Sequence, residues 1–350
     1  MNAESKNNLW LFSQPVDLTV FAGSAIASLI LLAIGWKLGL LESDSPDWTW
    51  ISAVLLIDVA HVWSTGFRVY FDFEEVKRRP YLYALVPLFG YLVGVALYSE
   101  SAMLFWRMLA YVAVFHFVRQ QYGWMRLYRA KLRETDLLGK YVDTAAVYLA
   151  TVYPLVYWHA NLPRNFDWFV PNDFGGLPQI VETILFPIYV LALGLYAIKS
   201  LYLWLFRGFV NPGKDIIILT TAVCWYLGIV AFNSDYAFTV TNVIIHGVPY
   251  FALVYWYAKS RRETAPRGYR LFSSNIIFFL SILWLLAYAE ELFWHRSVWH
   301  DERGWIFGAN WDLENWKAYL VPLLALPQLV HYVLDGFIWR RKSNSNFRLI

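Results

Sequence analysis

Charge and sulfur are scarce in this chain. Of its 350 residues 16% are charged, 59% are hydrophobic, and a single cysteine, Cys224, is present. Soluble domains carry about 25% charged and roughly 45–50% apolar residues, so the composition excludes a water-soluble core and shell. One thiol excludes a disulfide framework and a thiolate metal cluster alike. There is no Walker-type glycine loop, no nucleophile-elbow serine and no HExxH helix. A net charge of +3 gives a nucleic-acid partner no support. The amino terminus, MNAESKNNLWLFSQPVD, lacks the basic region, short apolar stretch and small-residue cleavage site of a signal peptide. It reads as a retained tail, residues 1–16.

What the chain does have is long apolar runs. A bilayer core of about 30 Å needs roughly 20 apolar helical residues. Ten candidate spans lie near 17–41, 48–73, 81–98, 101–128, 138–158, 176–206, 214–232, 236–258, 270–292 and 316–340. None alternates as a barrel strand does, which leaves helices as the only way to satisfy the backbone in lipid. Basic clusters follow the even-numbered spans, among them Lys77–Arg79, Arg126–Arg133, Lys259–Arg267 and Arg340–Lys342. Loops after the odd spans, such as Glu42–Asp47 and Asn233–Asp235, are acidic or nearly free of basic residues. By the positive-inside rule both termini are cytoplasmic. The expected architecture is therefore an all-α bundle of about ten transmembrane helices in one membrane domain, 1–350. Its carboxy-terminal tail, 341–350, is expected in the cytoplasm of a bacterial inner-membrane protein. A tryptophan-rich outer loop, Glu290–Trp316, is expected at the membrane interface. No fixed-period repeat is visible, nor the paired, glycine-broken spans of inverted-repeat transporters.

Four of the seven histidines fall inside spans: His61, His116, His246 and His331. They lie on the second, fourth, eighth and tenth spans, which run in the same direction. Each sits about 9–15 residues from the nearest basic cluster or arginine, which at roughly 1.5 Å per residue places all four in one band of depth. Ionisable groups there are costly and face a bundle interior or cavity. Each has a polar neighbour one helical turn away: Asp58 for His61, Gln120 for His116, Asn242 for His246, and both Gln328 and Asp335 for His331. A metal-bound imidazole donates its other N–H to such a group, and Asp58 and Asp335 are candidate ligands in their own right. Imidazole and carboxylate without thiolate suit iron, zinc, copper or manganese. The competing reading of any one membrane histidine is a satisfied structural residue.

A second polar layer follows. His61, Thr65, Arg68 and Asp72 form one stripe, and Arg119 lies three residues after His116. Arg68 and Arg119 either line a polar entrance or an anionic headgroup site, or snorkel to the interface or pair with Asp72. Pro249 removes a backbone N–H just after His246, and Tyr250 shares the face of His246. His295, His300, Asp301 and Glu302 in the outer loop could bind a metal, but among tryptophans they are read as interfacial. Asp143, Glu182 and Glu290 are placed at the water boundary.

At its histidines the chain resembles the Brp/Blh family of bacterial and archaeal membrane β-carotene dioxygenases. LVHYVLDGFIWR, which contains His331, Asp335 and Arg340, is similar to that family's final helix. Phe115–His116–Phe117 is similar to its second histidine helix, and His246 before a basic run is similar in placement to another ligand. These segments cover about a tenth of the chain. Asp58 precedes His61, whereas the family's first histidine helix has its aspartate after the histidine. His246 and Tyr250 stand where the family has two histidines four apart, and the chain has more spans than expected of that family. The resemblance implies an iron-type site in a helical bundle that oxidises a lipid-soluble substrate. The histidine boxes of membrane fatty-acid desaturases are absent.

The leading expectation is a membrane metalloenzyme, an Fe(II)-dependent oxidoreductase. Its ligands would be His61, His116, His246 and His331, with Asp58, Asp335 and Tyr250 as catalytic or orienting groups. The partners expected are the lipid bilayer and a hydrophobic small molecule. Two alternatives stay open: a haem b electron-transfer protein with axial histidine pairs, and a proton-coupled transporter using the His/Asp set.

Overall fold

The computed structural model describes residues 9–43, 45–300 and 303–340. Asp301, Glu302, the basic pair Arg341–Lys342 and the rest of the expected carboxy-terminal tail lie outside the described residues. All regular structure among the described residues is helical. Nine of these helices are long and apolar enough to cross a membrane. They are α1 Gln14–Lys37, α2 Asp47–Arg68, α3 Pro80–Glu100, α4 Ala102–Lys131, α6 Gln179–Arg207, α7 Pro212–Ala231, α8 Asp235–Arg261, α9 Ile276–Trp299 and α10 Glu314–Ile338. The remaining expected span, the fifth, forms a helix too, α5 Leu137–Ala160, yet falls short of the others in apolar character. Lys140, Asp143 and His159 interrupt it, and it packs along α6 and α7, where protein takes the place of lipid around much of its surface.

Local chemistry explains several boundaries. α6 ends at Gly208, whose φ of +61° is a left-handed conformation that suits a residue without Cβ. Asn211 then caps α7 by accepting from the Lys214 N–H, and Pro212 occupies the first turn. Asn275 caps α9 through the Phe278 N–H. Pro87 interrupts α3 and cannot donate to the carbonyl of Tyr83. That carbonyl instead accepts the Tyr70 hydroxyl at 3.2 Å.

By contacts the chain forms two compact units. The first gathers the described residues of 9–49 with Phe117–Pro249. Its interior holds a dense ionic cluster. Asp143 is fully buried and accepts hydrogen bonds from Arg129, Lys199 and Lys214, while Lys214 also bonds Glu134 at 2.6 Å. Arg129 and Lys214 thus leave the set of basic surface residues, and Asp143 is not at the water boundary. The expected free tail is anchored at its inner end as well: Trp10 and Leu11 are buried, and Asp17 accepts the Leu11 N–H and the Tyr128 hydroxyl at 2.6 Å each.

The second unit gathers Trp50–His116 with the described residues 250–300 and 303–340. Leu55, Val59 and Phe67 of α2 pack with Val254 and Ala258 of α8 and Phe279 and Leu283 of α9. Tyr83 of α3 packs with Val330, Leu334 and Ile338 of α10. Below this core Arg68 is buried. It pairs with Glu75 at 3.3 Å, donates to the Ile338 carbonyl at 2.8 Å and lies over the Tyr257 ring. Asp72 pairs instead with Arg261 at 2.9 Å, so the expected Arg68–Asp72 pair is replaced by two pairs. Between Glu290 and Trp316, Trp299, Trp305, Trp311 and Trp316 are exposed, whereas Trp294 is buried.

Candidate metal centre

Two of the histidine-bearing helices change winding just before the histidine. α2 runs as π-helix over Trp50–Val59 and returns to α-helix at Ala60, one residue before His61. α8 does the same over Thr239–Val243, ahead of His246. Wide turns of this kind rotate the next helical turn about the axis and recur at functional sites. α10 breaks at Ala325, two residues before Pro327, ahead of the helical turn that carries His331.

His61, His116, His246 and His331 are all buried. Three of them, His61, His116 and His331, lie within the second unit, and their ligand-capable atoms are within 4.8 Å of one another. The Nε2 atoms of His116 and His331 face each other at 3.1 Å. The His61 ring lies edge-on to that of His331, with centroids 4.8 Å apart. Each of these histidines has an oxygen partner beside Nδ1. Thr65 Oγ1 is 2.7 Å from His331 Nδ1, Asp335 Oδ2 is 3.6 Å from His116 Nδ1, and Asp58 Oδ1 is 3.5 Å from His61 Nδ1. For His116 and His331 this leaves Nε2 directed inward, the arrangement that orients imidazole ligands. Metal–imidazole bonds of roughly 2.0–2.1 Å put adjacent nitrogens about 3.0–3.5 Å apart in tetrahedral or octahedral geometry. The 3.1 Å approach fits that demand.

His246 stands on α8 one turn before Tyr250. Its ring stacks on Phe117, the residue after His116, at 3.5 Å between centroids and 5° between planes. Tyr250 reaches the histidines of the second unit through its hydroxyl, which donates to Asp335 Oδ1 at 2.6 Å and lies 3.3 Å from Thr65 Oγ1.

The expected polar partners sort themselves by geometry. Asp58 faces its own histidine. Asp335 is closer to His116 than to His331, from which it stands 4.0 Å away. Gln120 does not serve the His116 ring; it donates to the His246 carbonyl at 2.8 Å. Asn242 bonds its own helix, at the Phe238 carbonyl and Thr241 Oγ1. Gln328 donates to Glu290 at 3.3 Å, not to His331. Arg119 is exposed and bonds Tyr148, and Arg68 closes the ionic layer described above. His295 is buried beside Phe307, and His300 meets the Arg296 carbonyl at 2.9 Å; neither joins the histidine group.

Two contributors escape a reading by sequence. Thr65 holds His331 from a different helix, 266 positions away. Its place on the His61 stripe was the available signal. Glu290 is buried, not at the water boundary, and its carboxylate accepts Trp63 Nε1 at 2.6 Å, Trp294 Nε1 at 3.3 Å and the Gln328 amide. It therefore ties the helix of His61 and the helix of His331 to α9. A comparison of the chain with family models, with curated proteins and with solved structures gives no match.

Proposed function

We propose that this protein is an integral membrane metalloenzyme, an iron-dependent oxidoreductase acting on a lipid-soluble substrate. The observation that carries the reading is the approach of the His116 and His331 Nε2 atoms to 3.1 Å, with each Nδ1 turned to an oxygen and His61 beside them. An N–H···N hydrogen bond accounts for that pair alone. It gives no reason for a third histidine, His61, to be buried with them.

His61, His116 and His331 would hold the metal, and Asp58, Thr65 and Asp335 would orient the rings. A non-haem iron on imidazole ligands with open positions supplies dioxygen activation. The chain's own part is threefold. Burial keeps the imidazoles dry, Thr65 and Asp335 fix their orientation, and Tyr250 holds Asp335 through its hydroxyl. Imidazole and carboxylate donors without thiolate support iron, as does the resemblance to the membrane carotene dioxygenases; zinc, copper and manganese accept the same donors. Topology belongs to the same reading: ten spans with both termini cytoplasmic.

A haem shared by His116 and His331 is disfavoured by distance. Axial nitrogens on opposite faces of a porphyrin stand about 4 Å apart, twice a metal–imidazole bond, and 3.1 Å leaves no room for the macrocycle.

Metal analysis of protein purified anaerobically in mild detergent tests the proposal. The expected result is about one iron per chain, lost in His116→Ala and His331→Ala while both variants remain monodisperse. Wild-type protein that holds no transition metal, and takes none up from added Fe(II) or Zn(II), would overturn it.

A further inference from the structure

A cavity of about 350 Å³ lies in the second unit between α2, α3 and α10. Val62, Trp63 and Thr65 form its α2 wall, Pro87 belongs to α3, and Leu326 and Val330 belong to α10. Two of these residues adjoin metal-ligand candidates in sequence, Val62 beside His61 and Val330 beside His331. Thr65, buried at 4% exposure, is both a wall of the cavity and the partner of His331 Nδ1. The cavity therefore reaches the helical turns that carry the histidines, and it opens among helices apolar enough to cross a membrane.

Its lining is almost wholly carbon, and the few polar atoms at its edge are engaged elsewhere. The Trp63 N–H donates to Glu290 at 2.6 Å. The Tyr70 hydroxyl donates to the Tyr83 carbonyl, which Pro87 leaves without its helical donor. The Thr65 hydroxyl is shared between His331 and Tyr250. A ligand that brought polar groups into this space would leave them unpaired, at a cost that excludes it. A hydrocarbon chain needs no partner and gains from burial.

We infer that this cavity is the binding site for the hydrocarbon chain of a membrane-resident substrate, entered laterally between α2, α3 and α10, with Thr65 marking its inner end toward the histidines. The inference rests on the metalloenzyme reading for the word substrate; the chain-binding site itself does not need the metal.

Photolabelling of the full-length protein in lipid nanodiscs tests this. Two probes are used in separate arms, a diazirine-bearing hexadecanol and a diazirine-bearing geranylgeraniol, and iron content is measured on the same samples. The expected result is saturable labelling of the peptides spanning 62–71 and 323–330, competed by the unlabelled alcohol. The arm with the stronger competition identifies a linear or an isoprenoid chain. Leu326→Trp, which fills the cavity, lowers that labelling by at least about tenfold, the loss expected when roughly two methylenes are left unburied, and leaves iron content unchanged. Should this variant fail to fold, competition on wild-type protein decides. Labelling that does not saturate and is as strong on the lipid-exposed face of α6, around Ile198 and Leu201, shows annular lipid only and overturns the inference. Saturable labelling without iron would sink the metal reading and leave the cavity assignment standing.

Discussion

Thr65 shows how much one hydroxyl contributes when it stands between two helices. Its Oγ1 meets His331 Nδ1 at 2.7 Å and the Tyr250 hydroxyl at 3.3 Å, so it sets which ring nitrogen of His331 turns toward His116. Removing an oxygen that orients a metal-bound imidazole costs about 10–100-fold in metal affinity. Thr65→Val, nearly the same shape, is therefore expected to weaken metal binding by about that factor in a chelator competition, and Thr65→Ser to restore it. Equal affinity in the valine variant and the wild type would remove Thr65 from the site. The pairing of Asp58 with His61 was legible in sequence because one turn of helix fixes it. The partners of His116 and His331 were not, since Asp335 and Thr65 reach them from other helices.

The connection between α2 and α3 carries its own electrostatics, outside the spans. Asp72 caps the short helix Phe73–Arg78, accepting the Glu75 N–H at 3.4 Å. Burial alone raises the Asp72 carboxyl, but hydrogen bonds from Arg261 and Tyr257, the Arg261 charge and the Glu75 N–H together outweigh it and hold it below its ordinary 3.8. Glu75 behaves alike: burial raises it, and Arg68, Tyr83 and Arg78 together bring it below 4.5. Groups with depressed folded-state values stabilise the fold above their unfolded values, and that contribution is lost as pH falls through the folded ones. Thermal unfolding in detergent, followed from neutral pH down through 4.5 and 3.8, should show wild-type stability falling in the acid range. Asp72→Asn with Glu75→Gln should start lower and change less. Parallel curves would mean that the two carboxylates contribute nothing specific. At this scale the sequence showed the acidic and basic residues but mispaired them, because Arg68 lies four residues before Asp72 and was matched to it by helical spacing. α2 ends at Arg68, and the turn beyond it carries Asp72 to Arg261 while Glu75 comes to Arg68.

Across the whole molecule, the alternation of basic and basic-poor loops predicts where each side of the membrane lies. Cys224 is fully buried, so intact cells should show no labelling of the native protein by a membrane-impermeant maleimide. With Cys224→Ala as background, Ser45→Cys is expected to label from outside the cell and Glu263→Cys only after permeabilisation. Labelling of both from the same side would break the ten-span topology. Composition and the length of the apolar runs determined the helical, membrane-embedded character of this chain. That follows because a backbone in lipid must satisfy its own hydrogen bonds and because apolar length is read directly from residues in series. They also marked four histidines within the apolar runs, since an ionisable group there is rare enough to be conspicuous. Tertiary structure alone decided that the His116 and His331 nitrogens meet, that α5 is sheltered enough to carry Asp143, that Glu290 is buried among indoles, and that a carbon-lined cavity ends at Thr65. Contacts between residues hundreds of positions apart depend on how helices pack, and helix order along a chain does not specify which helices become neighbours.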